Sequence, residues 1–117
     1  MNTLKVVLTD HWFDEIKSGR KTHEYREICL FWIARLKKVV IDYKTNPFPL
    51  KEPAFIEFQK AFRKNPERMT FKIKKITELK DGLNTDLKTE LPVFDIELGE
   101  RIRNDLSFYH IERRRPR

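Results

Sequence analysis

Ionisable side chains crowd the segment that follows Gly19, and they could serve molecular recognition or acid–base chemistry. Lys21, Thr22, Glu24 and Arg26 lie within a stretch of six residues. A lysine near a carboxylate can act as a base or orient a nucleophile, and arginine offers a planar fork to a phosphate or a base edge. The period of two expected for a strand puts Thr22, Glu24 and Arg26 on one wholly polar face. Joint action with Lys21 requires that Lys21 lie in the turn before that strand.

A short helix and a glycine position this segment. Trp12, Phe13 and Ile16 recur at helical spacing, Asp10 is predicted to cap the N-terminus of the helix, and Gly19 supplies the left-handed residue that ends it. The strand that follows could also be an ordinary solvated strand with alternating charges. The residue types therefore indicate a candidate site and leave its chemistry open.

Apolar periodicity in the rest of the chain predicts further strands and one more helix. Alternating apolar residues at 4–8, 69–73 and 94–98 are typical of half-buried strands. Helical spacing over 28–36 predicts a second helix of about ten residues, and 39–43 resembles another short strand. Helices and strands together give the fold class α+β.

Aromatic and cationic residues alternate over 55–64, a composition that single-stranded nucleic acid uses for stacking and charge neutralisation. Ile56 and Phe58 share one strand face and are predicted to belong to the core. Phe62, near the end of that strand, is the candidate for an exposed stacking ring. Three prolines in 45–53 exclude regular strand pairing there and predict a long loop.

One motif resembles the signature of a known family, the ASCH domains of the PUA-like superfamily. That signature is a helix ending in Ser/Ala-Gly-x-Lys-Thr, followed by a Glu-x-Arg strand. The matching residues here are Trp12-Phe13, Ile16-Lys17-Ser18-Gly19-Arg20-Lys21-Thr22, Glu24-Tyr25-Arg26 and Phe31-Trp32. The likeness covers residues 3–36 and continues more weakly over 55–76 and 93–102. It implies a small PUA-like β-barrel of about five to six strands with two short helices, over residues 1–103.

The resemblance also implies a function in RNA or modified-nucleoside chemistry. We expect a cleft lined by 19–26 that binds RNA or a nucleobase-like ligand. Its ligand-binding residues would be Lys21, Thr22, Glu24 and Arg26, with Trp32 or Phe62 stacking on a base. In this reading Glu24 accepts a hydrogen bond from an exocyclic amine.

Two hydrolytic alternatives come from the same resemblance. Some ASCH proteins are amidohydrolases of N4-acetylcytidine, with a Lys, a Thr three residues later and a distal Glu. Lys21 matches the Lys, whereas Glu24 stands where the Thr would be, and a carboxylate cannot replace a hydroxyl nucleophile. Other members are ribonucleases, for which Lys21 and Glu24 would be the catalytic residues. A protein-interaction adaptor with a vestigial cleft is the remaining alternative.

Much of the net charge of +7 comes from the end of the chain. Residues 101–117 hold six arginines against two acidic residues and so account for four of the seven charges. We therefore predict that residues 104–117 form a basic tail, which could contact nucleic acid or merely be a solvated end. Its concentrated cations are Arg113, Arg114, Arg115 and Arg117.

Several other classes of protein do not fit the sequence. A length of 117 residues suits one domain, and the single cysteine, Cys29, leaves no intrachain disulfide. His11, His23 and His110 lack metal-ligand spacing, and three glycines make no phosphate loop or dinucleotide fingerprint. We therefore expect no metal and no cofactor. No apolar run approaches the ~20 residues that cross a bilayer, so we expect a cytoplasmic protein without a membrane partner.

Overall fold

Five strands and two helices form along residues 2–103, the part of the chain that the computed structural model describes. The predicted basic tail, residues 104–117, lies outside the described residues. The strands are β1 (Asn2–Leu8), β2 (His23–Glu27), β3 (Ala54–Lys60), β4 (Arg68–Leu79) and β5 (Val93–Ile102), and the helices are α1 (Asp10–Lys17) and α2 (Leu30–Leu36).

The strands make one curled mixed sheet that forms a half-barrel, which confirms the α+β prediction. Their order is β1-β3-β4-β5-β2, with β1 and β3 parallel and the other pairs antiparallel. Because β1 and β2 are the two edges, helix α1, which joins them, carries the chain from one edge of the sheet to the other. None of the helices within residues 2–103 has the length and apolar character needed to cross a bilayer.

Alternating apolar side chains fill the inner face of the half-barrel, and the strands predicted over 4–8, 69–73 and 94–98 are confirmed. Phe13 and Ile16 of α1 close this core from the helix side. Burial of this kind of side chain contributes about 1.5–3 kcal/mol each. The buried strand residues include Leu4, Val6, Leu8, Ile56, Phe58, Met69, Phe71, Ile73, Ile76, Phe94, Ile96 and Leu98.

The start of α1 differs from the prediction, whereas its end agrees. Thr9 takes the N-cap position without a side-chain hydrogen bond, and Asp10 is the first helical residue, so the predicted Asp10 cap is wrong. The Asp10 carboxylate instead accepts a hydrogen bond from Arg63 Nη2 at 2.6 Å, which lowers the pKa of Asp10. Gly19 has φ +85°, the left-handed conformation predicted for the residue that ends the helix.

The predicted strand over 39–43 is wrong, because only an isolated bridge between Val40 and Leu50 forms there. The prolines that follow have no N–H groups and cannot continue a ladder. The loop is nevertheless attached to β4: the backbone N–H of Phe48 donates to the Ile76 carbonyl at 2.9 Å. The Tyr43 hydroxyl donates to the Ile33 carbonyl at 2.6 Å, and burial raises the pKa of Tyr43 to about 12.

Helix α2 is shorter than the predicted ten residues. It spans the seven residues Leu30–Leu36 and begins after Cys29, which adopts an extended conformation at the N-cap. Leu36 is buried in the core, whereas Leu30 and Phe31 are exposed. The helix therefore places the Trp32 ring beside Arg26, near the end of β2.

We predict that Phe58→Ala lowers the free energy of unfolding by about 3–5 kcal/mol, because Phe58 is fully buried and its loss leaves a cavity. Phe62→Ala is the matched control, since the Phe62 side chain is 87% exposed, and its effect should stay within about 0.5 kcal/mol. Denaturant titration of both variants measures this. Equal losses in the two variants would show that the core described here is incorrect.

Candidate functional site

Lys21 lies in the turn before β2, which is the placement that joint action with Glu24 requires. The turn after α1 is held by a hydrogen bond from the Lys21 backbone N–H to the Glu15 carbonyl at 3.0 Å. Strand β2 begins only at His23. From the turn, Lys21 Nζ reaches Glu24 Oε1 at 3.0 Å.

The polar face of β2 is the inner face of the half-barrel. Glu24 is paired in register with Ile96, and Arg26 is paired with Phe94; both partners on β5 are buried in the core. Directly opposed residues in an antiparallel pair point to the same side of the sheet. Glu24 is accordingly only 2% exposed. A carboxylate therefore lies where a half-barrel would ordinarily have an apolar side chain.

Two cations neutralise this buried carboxylate. Lys21 Nζ lies 3.0 Å from Glu24 Oε1, and Arg26 Nη2 lies 2.5 Å from Glu24 Oε2. Lys21 Nζ also contacts Asp86 Oδ2 at 2.5 Å. We call Lys21, Glu24, Arg26 and Asp86 the charge cluster. It holds two positive and two negative side chains, so its formal charge is zero, as burial of several charges requires.

Asp86 was missed in the sequence analysis, and the loop that presents it is held by local contacts. The Thr85 hydroxyl donates to the Gly82 carbonyl at 2.7 Å and accepts from the Leu87 N–H at 3.1 Å. A Cβ at Gly82 would lie 2.9 Å from side-chain carbons of Thr89 and Val93, so only glycine fits. These contacts fix a tight turn next to Asp86. Asp86 stands 65 residues from Lys21, and no spacing rule links them.

Aromatic rings lie against both cations of the charge cluster. Lys21 Nζ is 4.4 Å from the ring centroid of Trp12 and 5.9 Å from that of Tyr25, and Arg26 Cζ is 4.8 Å from that of Trp32. Such cation–π contacts contribute about 0.5–2 kcal/mol when partly desolvated. Burial, with the nearby carboxylates, raises the pKa of the Tyr25 phenol. Both tryptophans of the chain therefore belong to the site.

Two buried polar atoms of the charge cluster have no hydrogen-bond partner among the described residues. They are Arg26 Nε, a donor, and Asp86 Oδ1, an acceptor. Leaving such an atom unsatisfied costs about 1–3 kcal/mol or more, so native structures usually satisfy it with a partner group or water. The cluster therefore holds one unused donor and one unused acceptor, both shielded from solvent, so an incoming molecule reaches them only if a neighbouring side chain moves.

The structure brings together only some of the residues predicted for the site. Lys21, Glu24, Arg26 and Trp32 converge. Thr22 is exposed, and its side chain does not join the charge cluster. Its backbone carbonyl accepts a hydrogen bond from the Leu98 N–H at 3.0 Å. Phe62 lies in the loop between β3 and β4, and no ring contact or hydrogen bond joins it to the charge cluster within residues 2–103.

A histidine–carboxylate pair flanks the cluster on the other face of β2. His23 Nδ1 lies 2.6 Å from Asp95 Oδ1, and the His23 and Tyr25 rings stack at 6.0 Å between centroids. Within the described part of the chain, no three His, Cys, Asp or Glu side chains converge as metal ligands. The groups that lie in and beside the charge cluster are ammonium, guanidinium, carboxylate and imidazole groups next to aromatic rings.

No protein-family model, curated protein or solved structure matches this chain. The class of the protein rests on its own geometry: a half-barrel whose inner face carries a neutralised ion cluster with a tryptophan against each of its two cations.

We predict that Arg26→Met lowers the free energy of unfolding by about 3 kcal/mol, because it removes one of two partners from a buried carboxylate. Arg20→Met is the matched control: Arg20 also pairs with a glutamate, Glu15, but its side chain is 65% exposed. Water already screens that pair, so stability should be almost unchanged. Thermal and denaturant unfolding compare the two variants, and equal effects would contradict the buried role of Arg26.

Proposed function

We propose that the protein binds RNA or a nucleobase-like ligand at the charge cluster, in a cleft lined by residues 19–26. The observation that carries this proposal is a buried donor, Arg26 Nε, and a buried acceptor, Asp86 Oδ1, which lack partners within residues 2–103. Both belong to one cluster flanked by Trp12 and Trp32. We further propose that the half-barrel is an ASCH domain of the PUA-like superfamily, on the strength of the motif over residues 16–26.

A base edge with an exocyclic amine complements the two unused atoms. Cytosine presents an amine donor beside a ring-nitrogen acceptor, and adenine does the same. Both Glu24 oxygens already accept from Lys21 and Arg26, so Asp86 Oδ1 replaces Glu24 as the acceptor for the amine. Glu24 then acts by holding both cations in place.

Stacking supplies the second part of the proposed recognition. Trp32 lies against Arg26 and Trp12 lies against Lys21, so aromatic surface adjoins the hydrogen-bonding atoms. Stacking of a base on an aromatic ring contributes about 1–3 kcal/mol. Phe62, which is 87% exposed, is a separate stacking candidate for an RNA strand that extends beyond the site.

A hydrolase acting on RNA or on a modified nucleoside is the second candidate function. The observation in its favour is Asp86: a carboxylate distant in sequence touches Lys21 Nζ, as in the lysine and distal carboxylate of the amidohydrolase motif. Against it, Glu24 replaces the motif's hydroxyl, and both of its oxygens are engaged by cations. These engaged oxygens favour recognition over proton transfer by Glu24.

We predict that the wild-type protein binds cytidine more tightly than uridine, and that Asp86→Asn reverses the preference. An asparagine whose oxygen accepts from Lys21 turns its amide donor toward the position of Oδ1, where the cytidine amine is also a donor. The ratio of the dissociation constants for uridine and cytidine should fall by about tenfold. Tryptophan fluorescence reports binding directly, since both tryptophans lie in the site.

Asp81→Asn is the matched control, because Asp81 lies in the same loop and its Oδ1 accepts from the Leu83 N–H, a bond that asparagine preserves. It should leave the preference unchanged. Absence of saturable binding by either nucleoside or by single-stranded RNA, or the same shift in both variants, would contradict the proposed site.

We also predict that the protein does not release acetate from N4-acetylcytidine, because the position of the hydroxyl nucleophile is occupied by Glu24. Chromatography of the nucleoside after incubation with purified protein measures this, and labelled single-stranded RNA tests cleavage in parallel. Deacetylation that disappears in Lys21→Ala would favour the amidohydrolase. RNA cleavage that disappears in Glu24→Gln would favour the ribonuclease.

A further inference from the structure

A second surface, at the β1 edge of the sheet, forms a groove of about 550 Å³. It lies on the face opposite the core, where Lys5, Glu57 and Thr70 are paired in register across β1, β3 and β4. Strand β2, which carries Glu24, is at the other edge of the sheet. This groove therefore shares no residue with the charge cluster.

The segment after α2 brings two more lysines to this groove, Lys38 and Lys51. The Lys51 backbone N–H donates to the Val39 carbonyl at 2.8 Å, and Asn2 Nδ2 donates to the Lys51 carbonyl at 3.1 Å. These bonds tie the segment to the start of β1. The positions of the lysine backbones are thus fixed, while their ammonium groups keep the mobility of long side chains.

Positive charge in the groove is only partly balanced by the described residues. Lys5, Lys38 and Lys51 face a single carboxylate, Glu57, and none of the three forms an ion pair within residues 2–103. The hydroxyl of Thr3, which also lines the groove, is buried without a hydrogen-bond partner in that range. The groove therefore presents three cations against one carboxylate.

Cations near α1 are arranged differently. Lys17 pairs with Glu67 at 2.6 Å, and Lys60 pairs with Asp14 at 3.0 Å. Arg63 pairs with Asp10. The contrast shows that carboxylates accompany the cations on one side of the molecule and are scarce in the groove, so the groove is the more attractive surface for an anion.

An adjoining groove of about 490 Å³ extends the positive surface. The two grooves meet at Lys51, and the second adds two lysines, Lys37 and Lys44, against one carboxylate, Asp42. Its lining also holds the 61%-exposed Ile41. Five lysines in the two linings are more than a single phosphate would engage. The two grooves together suit a chain of phosphates with room for the attached sugars.

We propose that this lysine tract, formed by Lys5, Lys37, Lys38, Lys44 and Lys51, binds the phosphodiester backbone of single-stranded nucleic acid. Ammonium groups neutralise successive phosphates and release counterions, and the Thr70 hydroxyl can donate to a phosphate oxygen. A protein partner would call for a larger apolar centre than Ile41 provides. The proposal does not depend on the charge cluster, because it reads no base.

The experiment measures the salt dependence of binding to two labelled probes, a short oligouridylate and an oligonucleotide backbone that lacks bases. The full chain is used, so the tail contributes equally to every variant. The groove variant carries Lys5→Gln, Lys38→Gln and Lys51→Gln. The control variant removes the same number of charges from exposed lysines that form no ion pair within residues 2–103: Lys75→Gln, Lys80→Gln and Lys88→Gln.

The groove variant should lower the slope of log K against log salt by about 2 on both probes, since each lost phosphate contact removes about 0.7. The control variant should keep the wild-type slope. Thermal unfolding confirms that both variants fold. Equal changes in the two variants, unchanged slopes, or no binding of the base-free backbone by the wild type would overturn the proposal.

The same titration separates this proposal from the proposed function. Asp86→Asn should leave binding of the base-free backbone unchanged, because Asp86 belongs to the charge cluster. If Asp86→Asn loses the preference for cytidine but keeps the salt slope for the base-free backbone, the change concerns the charge cluster alone. Weaker backbone binding by Asp86→Asn at unchanged stability would show that the two surfaces are one, and would overturn the separate groove.

Discussion

The need to neutralise one inward-facing carboxylate governs the arrangement of this protein. Glu24 lies on the core side of an edge strand and is nearly inaccessible to water. An isolated buried charge would cost several kcal/mol, so Lys21 and Arg26 must both reach it. Lys21 in turn requires Asp86, which ties the loop before β5 to the turn after α1. Elements far apart in the chain are thus joined through one network.

Local patterns predict the elements of the fold well and their mutual arrangement poorly. Alternation of apolar residues identifies β1, β4 and β5, and Gly19 marks the end of α1, because these features depend only on neighbouring residues. The expected strand over 39–43 fails because pairing depends on what lies beside a segment, and here the prolines that follow leave only the bridge of Val40 to Leu50.

The residues of the candidate site were likewise easier to predict than their arrangement. Its residues in β2 are evident from charge and spacing, yet a period of two cannot tell which face of a strand turns toward the core. That the polar face of β2 is the inner one follows only from its pairing with Phe94 and Ile96. Asp86 could not have been found from sequence, since its contact with Lys21 spans 65 residues.

The parallel pairing of β1 with β3 has a consequence for the order in which the protein folds. Asn2 pairs with Ala54, so the first strand has no partner until more than half of the described chain has been synthesised. Contacts of such long sequence separation form late, because the intervening chain must first be ordered. The charge cluster is completed later still, because it includes Asp86, which lies in the loop before β5. During synthesis at the ribosome, the nascent chain therefore carries the ionisable residues of β2 well before the groups that assemble them into a site.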